Sequence, residues 1–421
     1  MTLEQHPSSG QRQRLITLLR ETYHDDWQAL LKDFEPEGAQ SFEELCQHGM
    51  LYLRPGSNGI QTYRRFLALM AQRYFSLVRE IVRNYDHRAL ILGDRCQSFF
   101  YPEVARACAE HVDATSANLN AAWSDGTFPR FFLDTFHALT AKPVFVSEFY
   151  MAANQNRSGN RNDQGVFPIV ATQRERALGF QNTVRALLRL PFVVGADWFQ
   201  YYDEPTQGRY DGENFNFGLV DIHDRPYELL TATASGLDLI SLKSQPHSMR
   251  PDASLGVPPA PVNPLGQFAP MLALKRWDRE RGFVPPISNF PVADLYACWN
   301  AKALYLGLYA QDIPEDDYYR DKHVPEIDRA QWLIDVGGYQ KPIFIRLGNG
   351  TRPDSDGTGS SFAKLSVIHL KTYCVAAVGL PAKLFGKTKF KAGDPIELTC
   401  TFLGHSRYER VDWKGRLVLS K

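Results

Sequence analysis

Two hydrophobic rhythms divide this chain. The first is helical. From Tyr63 to Tyr85, Phe66, Leu67, Met70, Tyr74, Leu77, Val78, Ile81 and Val82 recur at steps of three and four, which predicts an amphipathic helix. Gln11 to Tyr23 carries Leu15, Leu18 and Leu19 on one face, and Ser41 with Glu44 spells a capping box for a short helix through Cys46. Met50 to Ile60 reads as loop, and no buried strand is expected before residue 89. From Ala89 short apolar runs alternate with helical stretches. Strands are predicted at 89–93, 112–118, 144–147 and 192–198, and helices at 102–110, 131–139 and 174–190. Such alternation argues for a parallel sheet with right-handed crossovers, about half of the eight units that close a barrel. A helical pattern from Pro226 to Leu242 completes this layer.

The second rhythm begins after a stretch holding Pro246, Pro251, Pro258, Pro259, Pro261 and Pro264, which reads as a semi-rigid linker. Beyond it short strands are predicted at 294–299, 303–310, 331–336, 342–347, 362–370, 373–380, 395–402 and 415–419, with turn signals between them. That pattern suggests a β-sandwich. The expected organisation is a helical segment over 1–88, a parallel-sheet region over 89–245, a linker over 246–264 and a sandwich over 265–421. The fold class is therefore α/β plus β.

One carboxylate stands out. Val144 to Tyr150 reads Val-Phe-Val-Ser-Glu-Phe-Tyr, so Glu148 ends a strand at the mouth of the sheet, where barrel enzymes keep catalytic groups. An isolated Glu there could equally open a solvated loop. Asn118 and Asn120 end the preceding strand. Two long polar loops follow, Asn154 to Phe167 and Gln200 to Asp221. Their amides, carboxylates and aromatic rings suit sugar hydroxyls and the C–H faces of sugar rings. Tyr150, Arg157, Asp203, Glu204, Glu213 and Asn214 are the candidate substrate contacts. The bland alternative is that the loop carboxylates pair with Arg157, Arg161 and Arg209 to hold the loops in shape. Both readings are expected to hold for different residues.

Composition narrows the choice of partner. The 47 basic and 47 acidic residues balance, with no basic stripe, so no nucleic-acid partner is expected. No run approaches the ~20 apolar residues of a membrane span, and no membrane partner is expected. Six widely spaced cysteines, with no Cys-x-x-Cys and no Cys/His cluster, give no metal site and no cofactor. They fit a reducing compartment, cytoplasmic if residue 1 is the natural start; the first ten residues lack the apolar core of a signal peptide. The acidic turn Glu315-Asp316-Asp317 reads as solvated, with calcium held through its oxygens as the alternative. Trp277, Trp299, Trp332 and Trp413 are candidate stacking residues of the sandwich, at least two of them expected in its core.

Val-Ser-Glu-Phe-Tyr at 146–150, followed by Gly-Ala-Asp-Trp-Phe-Gln-Tyr-Tyr-Asp-Glu-Pro at 195–205 and Asp-Gly-Glu-Asn-Phe-Asn-Phe-Gly-Leu-Val-Asp at 211–221, resembles the retaining barrel glycosidases that include β-galactosidases and β-agarases, the latter most. The likeness covers roughly residues 10 to 245. It implies a polysaccharide or oligosaccharide substrate, with Glu148 as nucleophile at the end of strand seven and Trp198 as the platform under the cleaved sugar. The predicted strands would be five to eight of a (β/α)8 barrel. The C-terminal region resembles a family 9 carbohydrate-binding module. In the family the acid/base Glu follows an Asn at the end of strand four, and this sequence contains no Asn-Glu dipeptide. The resemblance thus implies half a barrel without its proton donor, completed by a companion chain or a second copy, with Glu204 or Glu213 able to stand in as acid. The competing expectation is a catalytically silent carbohydrate-binding remnant.

Overall fold

The computed structural model describes residues 6, 8–97, 101–121, 125–128, 131–163, 167–244, 254–257, 293–313, 315–337, 343–347, 364–370, 373–405 and 410–421. The N-terminal region is helical: α1 (Gly10–Tyr23), α2 (Trp27–Asp33), α3 (Phe42–Gln47) and α4 (Gly59–Tyr85). Ser9 and Ser41 cap α1 and α3 by accepting the N–H of Arg12 and Glu44. The Glu44 carboxylate reaches back to the N–H of Gln40 rather than Ser41, so the expected capping box is displaced by one residue. Sequence reading missed a two-stranded ribbon, β1 (Phe34–Glu37) with β2 (Met50–Leu53), paired antiparallel. Its strands have only four residues each, too few for a convincing alternation. Phe34, Leu51 and Leu53 nonetheless bury their side chains against α1, α3 and α4.

The central sheet comprises β3 (Arg95–Gln97), β4 (Thr115–Asn120), β5 (Val144–Tyr150) and β8 (Val193–Trp198), all parallel and in that spatial order. Between them run α5 (Pro102–Ala109), α6 (Phe131–Thr140) and α7 (Gln173–Leu188), with a short pair, β6 (Ala152–Ala153) and β7 (Ile169–Val170), above the sheet. The strand expected at 89–93 is instead irregular chain leading into β3, with Gly93 at φ +70°. Its Ile91 carbonyl accepts the Asp113 N–H, while the Asp113 carboxylate accepts the Ile91 N–H, so these backbone groups bond outside the ladder. The helix expected over 226–242 is broken into α8 (Glu228–Ser235) and α9 (Leu239–Lys243), with Gly236 ending α8 and Asp238 capping α9.

The C-terminal region holds two antiparallel sheets. One comprises β10 (Ala293–Trp299), β11 (Ala303–Gln311), β14 (Lys364–Leu370) and β15 (Tyr373–Pro381). The other has β12 (Ala330–Val336), β13 (Ile343–Leu347), β16 (Pro395–Leu403) and β17 (Arg410–Leu419), with β9 (Ser254–Val257) added in parallel to β17. Asn300 turns the first hairpin by accepting the N–H groups of Lys302 and Ala303. β9 lies inside the Pro-rich stretch; the rest of that stretch falls outside the described residues. Trp332 is fully buried, and Trp299 is half-buried with its indole N–H on the Ser420 carbonyl. Trp277 and the Trp413 side chain fall outside the described residues.

The β11–β12 connection joins this region to the helices. Tyr319 and Val324 enter the core of α1–α4. Both carboxylate oxygens of Asp328 accept the Gly56 N–H, and Tyr319 donates to the same carboxylate. The expectation of a solvated acidic turn fails for Glu315. It is buried 3.8 Å from the guanidinium of Arg64 on α4, because burying that cation demands a nearby carboxylate.

Candidate active site on the open face of the parallel sheet

The side chains of a strand alternate between faces, and on this sheet one face is packed against helices. Val144, Val146 and Phe149 on β5, with Ala117 and Leu119 on β4, form that packed face. Glu148 would share a face with Val144 and Val146 if alternation were strict. It does not, because Ser147 is an extra residue. Against β4 the register steps from Ala117↔Val146 to Asn118↔Glu148, and against β8 from Val146↔Ala196 to Phe149↔Trp198. A bulge of this kind re-aims the side chains beyond it. It turns Glu148 and Tyr150 to the open face and sends Phe149 to the helices. Ser147 is held there by donating to the Ala117 carbonyl and the Asn118 side chain, at 3.3 and 3.2 Å.

The Arg95 guanidinium on β3 reaches across β4 to the Glu148 carboxylate, at 2.5 Å. Glu148 is largely enclosed, with 15% of its side chain exposed, whereas Arg95 is 54% exposed. Asn118, buried beside Glu148, is the sequence-predicted contact that the sheet does bring to it. Asn120 is in register with Tyr150. Glycine at 195 keeps the floor low: a Cβ there would meet the Phe145 ring at 2.7 Å. Tyr150 rises from the same face into an aromatic layer with Phe167, Phe199 and Phe217, ring centres 4.7 to 6.2 Å away.

Trp198 is not beside Glu148. Its register partner is Phe149, so it faces the helices, with ring centres of Phe149 and Phe180 at 5.2 and 5.3 Å. Its indole N–H is taken by the Phe217 carbonyl. The Arg176 guanidinium lies 5.6 Å from its ring. Trp198 supports the wall from behind, which corrects its expected role as a sugar platform. Phe199, the next residue, is the aromatic that joins the layer on the Glu148 side.

The loop carboxylates are committed to the fold. Asp203 is buried and accepts from the Ser158 hydroxyl, the Tyr227 hydroxyl and the Gly218 N–H, at 2.6, 2.6 and 2.9 Å. Burial holds its carboxyl above the usual carboxylate range despite these donors. Gly218 permits the approach: a Cβ there would fall 2.3 Å from the Asp203 nitrogen. Glu204 is also buried. It accepts the Phe215 N–H at 2.6 Å and pairs with Arg209 at 3.2 Å, and burial pushes its carboxyl up to about 7. Arg209 also pairs with Asp211 and, at 3.4 Å, with Glu213. Asn214 exchanges hydrogen bonds with Asp163, and Asn160 donates to the Glu204 carbonyl, so the two polar loops are stapled together. Arg157 donates to the Arg225 and Pro226 carbonyls, pairs with Asp221 at 3.2 Å and covers the Tyr227 ring. Asp203, Glu204, Asn214 and Arg157 are thus scaffold rather than free sugar contacts. Apart from the Glu204–Arg209 pair, five residues apart, their partners lie eleven or more residues away in sequence, so no local signal distinguishes the two roles.

Two residues of the open face escaped sequence reading. Arg95, on the short strand β3, is one, and no pattern around it in the sequence points to Glu148. Asp197 sits between Ala196 and Trp198 and is exposed on the open face. The signal for it is the single residue of β8 that stands opposite the bulge.

No protein-family model matches the chain. Over 201 residues, 46% of its length, it is 33% identical to β-agarase B of Vibrio sp. (strain JT0107), and it spans 19% of that protein. Among solved structures, PfGH50B aligns with 58% of this chain and 35% of its own at TM-score 0.51 and 26% identity. The agarase AgWH50C aligns with 58% and 34% at TM-score 0.50 and 27% identity. A family 9 carbohydrate-binding module of Caldicellulosiruptor kristjanssonii aligns with 30% of this chain at 12% identity and TM-score 0.23, too slight a likeness to assign the sandwich. The homologues of this chain are therefore β-agarases, and its structural relatives are family 50 glycoside hydrolases, each matched over part of its length.

Proposed function

We propose that the chain carries part of a retaining glycoside hydrolase for agarose-type β-galactans, with Glu148 as nucleophile. The supporting observation is the bulge at Ser147, which turns this carboxylate to the open face and next to Arg95. The guanidinium holds one carboxylate oxygen and so fixes the orientation of the side chain that would attack an anomeric carbon. In this reading β3, β4, β5 and β8 are strands five to eight of a (β/α)8 barrel within residues 89–245, and 265–421 is a carbohydrate-binding sandwich. Among the described residues the outer strands β3 and β8 are each paired on one side only, and a companion chain or a second copy would complete the ring.

The test is hydrolysis of a dinitrophenyl β-galactoside and of agaro-oligosaccharides, set against Glu148→Gln. Release of dinitrophenol by the parent chain and none by the variant supports the reading. Equal rates for the two proteins would leave only sugar binding. Light scattering with and without galactan oligosaccharide checks self-association.

A further inference from the structure

The loop over residues 200–221 sorts its aromatic residues by type. Phe215 and Phe217 are fully buried, whereas Tyr201 and Tyr202 are more than half exposed and Tyr210 wholly so. Apolar side chains exposed singly are ordinary, but three rings on one loop are a patch. Their backbone is locked although the rings are free. The Tyr201 carbonyl accepts the Val220 N–H at 2.9 Å, and the Val220 carbonyl accepts the Asp203 N–H at 3.1 Å. Around Tyr210, the Arg209 N–H donates to the Glu213 carbonyl at 2.7 Å and the Gly212 N–H to the Arg209 carbonyl at 2.9 Å. The rings of Tyr201 and Tyr202 meet edge to face at 5.9 Å. Among the described residues none of the three hydroxyls makes a hydrogen bond. A ring on such a backbone loses little freedom when a ligand covers it, and it offers an apolar face with a polar tip.

The loop is tied to the face that carries Glu148. Tyr150, on that face, has the Phe199 ring at 6.2 Å, and the Arg209 guanidinium lies 5.9 Å from Phe199. Tyr210 is the next residue along. Arg209 is shared among Glu204, Asp211 and Glu213, so carboxylates outnumber the cation at the loop tip. Such a tip suits an uncharged sugar chain and repels an anionic one. We propose that Tyr201, Tyr202 and Tyr210 form a binding surface for a neutral galactan chain, beyond the sugar that meets Glu148. The rings stack on the C–H faces of the sugars, and their hydroxyls exchange hydrogen bonds with sugar hydroxyls. The choice of galactan rests on the function proposed above; the surface itself does not require Glu148 to be the nucleophile.

The experiment measures binding of agarobiose and agarohexaose to the full-length chain by calorimetry. It compares the parent with Tyr201→Ala, Tyr202→Ala, Tyr210→Ala and Tyr210→Phe, each checked for an unchanged melting temperature. In the parent, affinity should rise with chain length. Each Ala variant should bind agarohexaose about tenfold more weakly and lose that dependence on length, while Tyr210→Phe, which keeps the ring, should stay near the parent. Parent affinity for agarohexaose in all three Ala variants would overturn the proposal, as would a parent that binds neither sugar. A sulfated galactan of equal length that binds as tightly as agarohexaose would overturn the assignment to a neutral chain. Failure of the nucleophile reads differently: a parent that binds agarohexaose through these rings yet releases no dinitrophenol loses Glu148 as nucleophile and keeps this surface.

Discussion

The open face of the parallel sheet and the loop layer above it use the same residue types to opposite ends. In the loops, Asp203, Glu204, Asp221 and Asn216 are buried and bonded by backbone N–H groups, hydroxyls or guanidinium groups. On the sheet, Glu148 has one charged partner and Asp197 has none among the described residues. The stretch richest in carboxylates is thus the scaffold, and the sparse one is the candidate for chemistry. A buried carboxylate must be paired or become neutral, so density of acidic residues reports how loops are closed, while reactivity depends on a carboxylate that is accessible and only partly satisfied.

Substitutions on both sides can break this comparison. The largest effect is expected from Glu148→Gln, which should bring glycoside cleavage to background with no loss of melting temperature. Loss of stability instead would move Glu148 into the scaffold class. Asp203→Ala should do the reverse. It strips the acceptor from two buried hydroxyls and one N–H, and should cost roughly 3 kcal/mol in urea unfolding. Asp328→Ala, which removes the acceptor of Gly56 and Tyr319, should cost about 1–3 kcal/mol and test whether sandwich and helices unfold together. Glu204 gives a pH signature. Its carboxyl titrates at about 7 in the fold against an ordinary 4.5, so its contribution is complete below 4.5 and is lost as pH rises through 7. Melting temperature should therefore fall between those values, and Glu204→Gln should flatten the fall; an unchanged slope would mean Arg209 keeps it ionised. The smallest effect belongs to Arg157→Gln at the rim of the loops, about 1 kcal/mol in the same urea experiment.

Much of the fold was legible. The three- and four-residue spacing found α4, and alternation of apolar runs with helical stretches found β4, β5 and β8 within two or three residues. Glu148 was legible because a carboxylate ending an apolar strand is locally conspicuous. The strand at 89–93 was misplaced because an apolar run marks burial, and Ile91 is buried without a ladder partner in a strand. β1 and β2 were too short to show a rhythm.

Sequence alone, then, determined the order of elements and the position of one carboxylate, since both follow from side-chain pattern within a few residues. Tertiary structure decided which way each side chain points and what it meets. One inserted residue at Ser147 reversed the faces of everything after it, sending Glu148 outward and Phe149, with Trp198, inward. The partners that consume Asp203, Glu204 and Arg157 lie 5 to 71 positions away along the chain. Pairing across such distances depends on how loops return in space, which no local periodicity encodes.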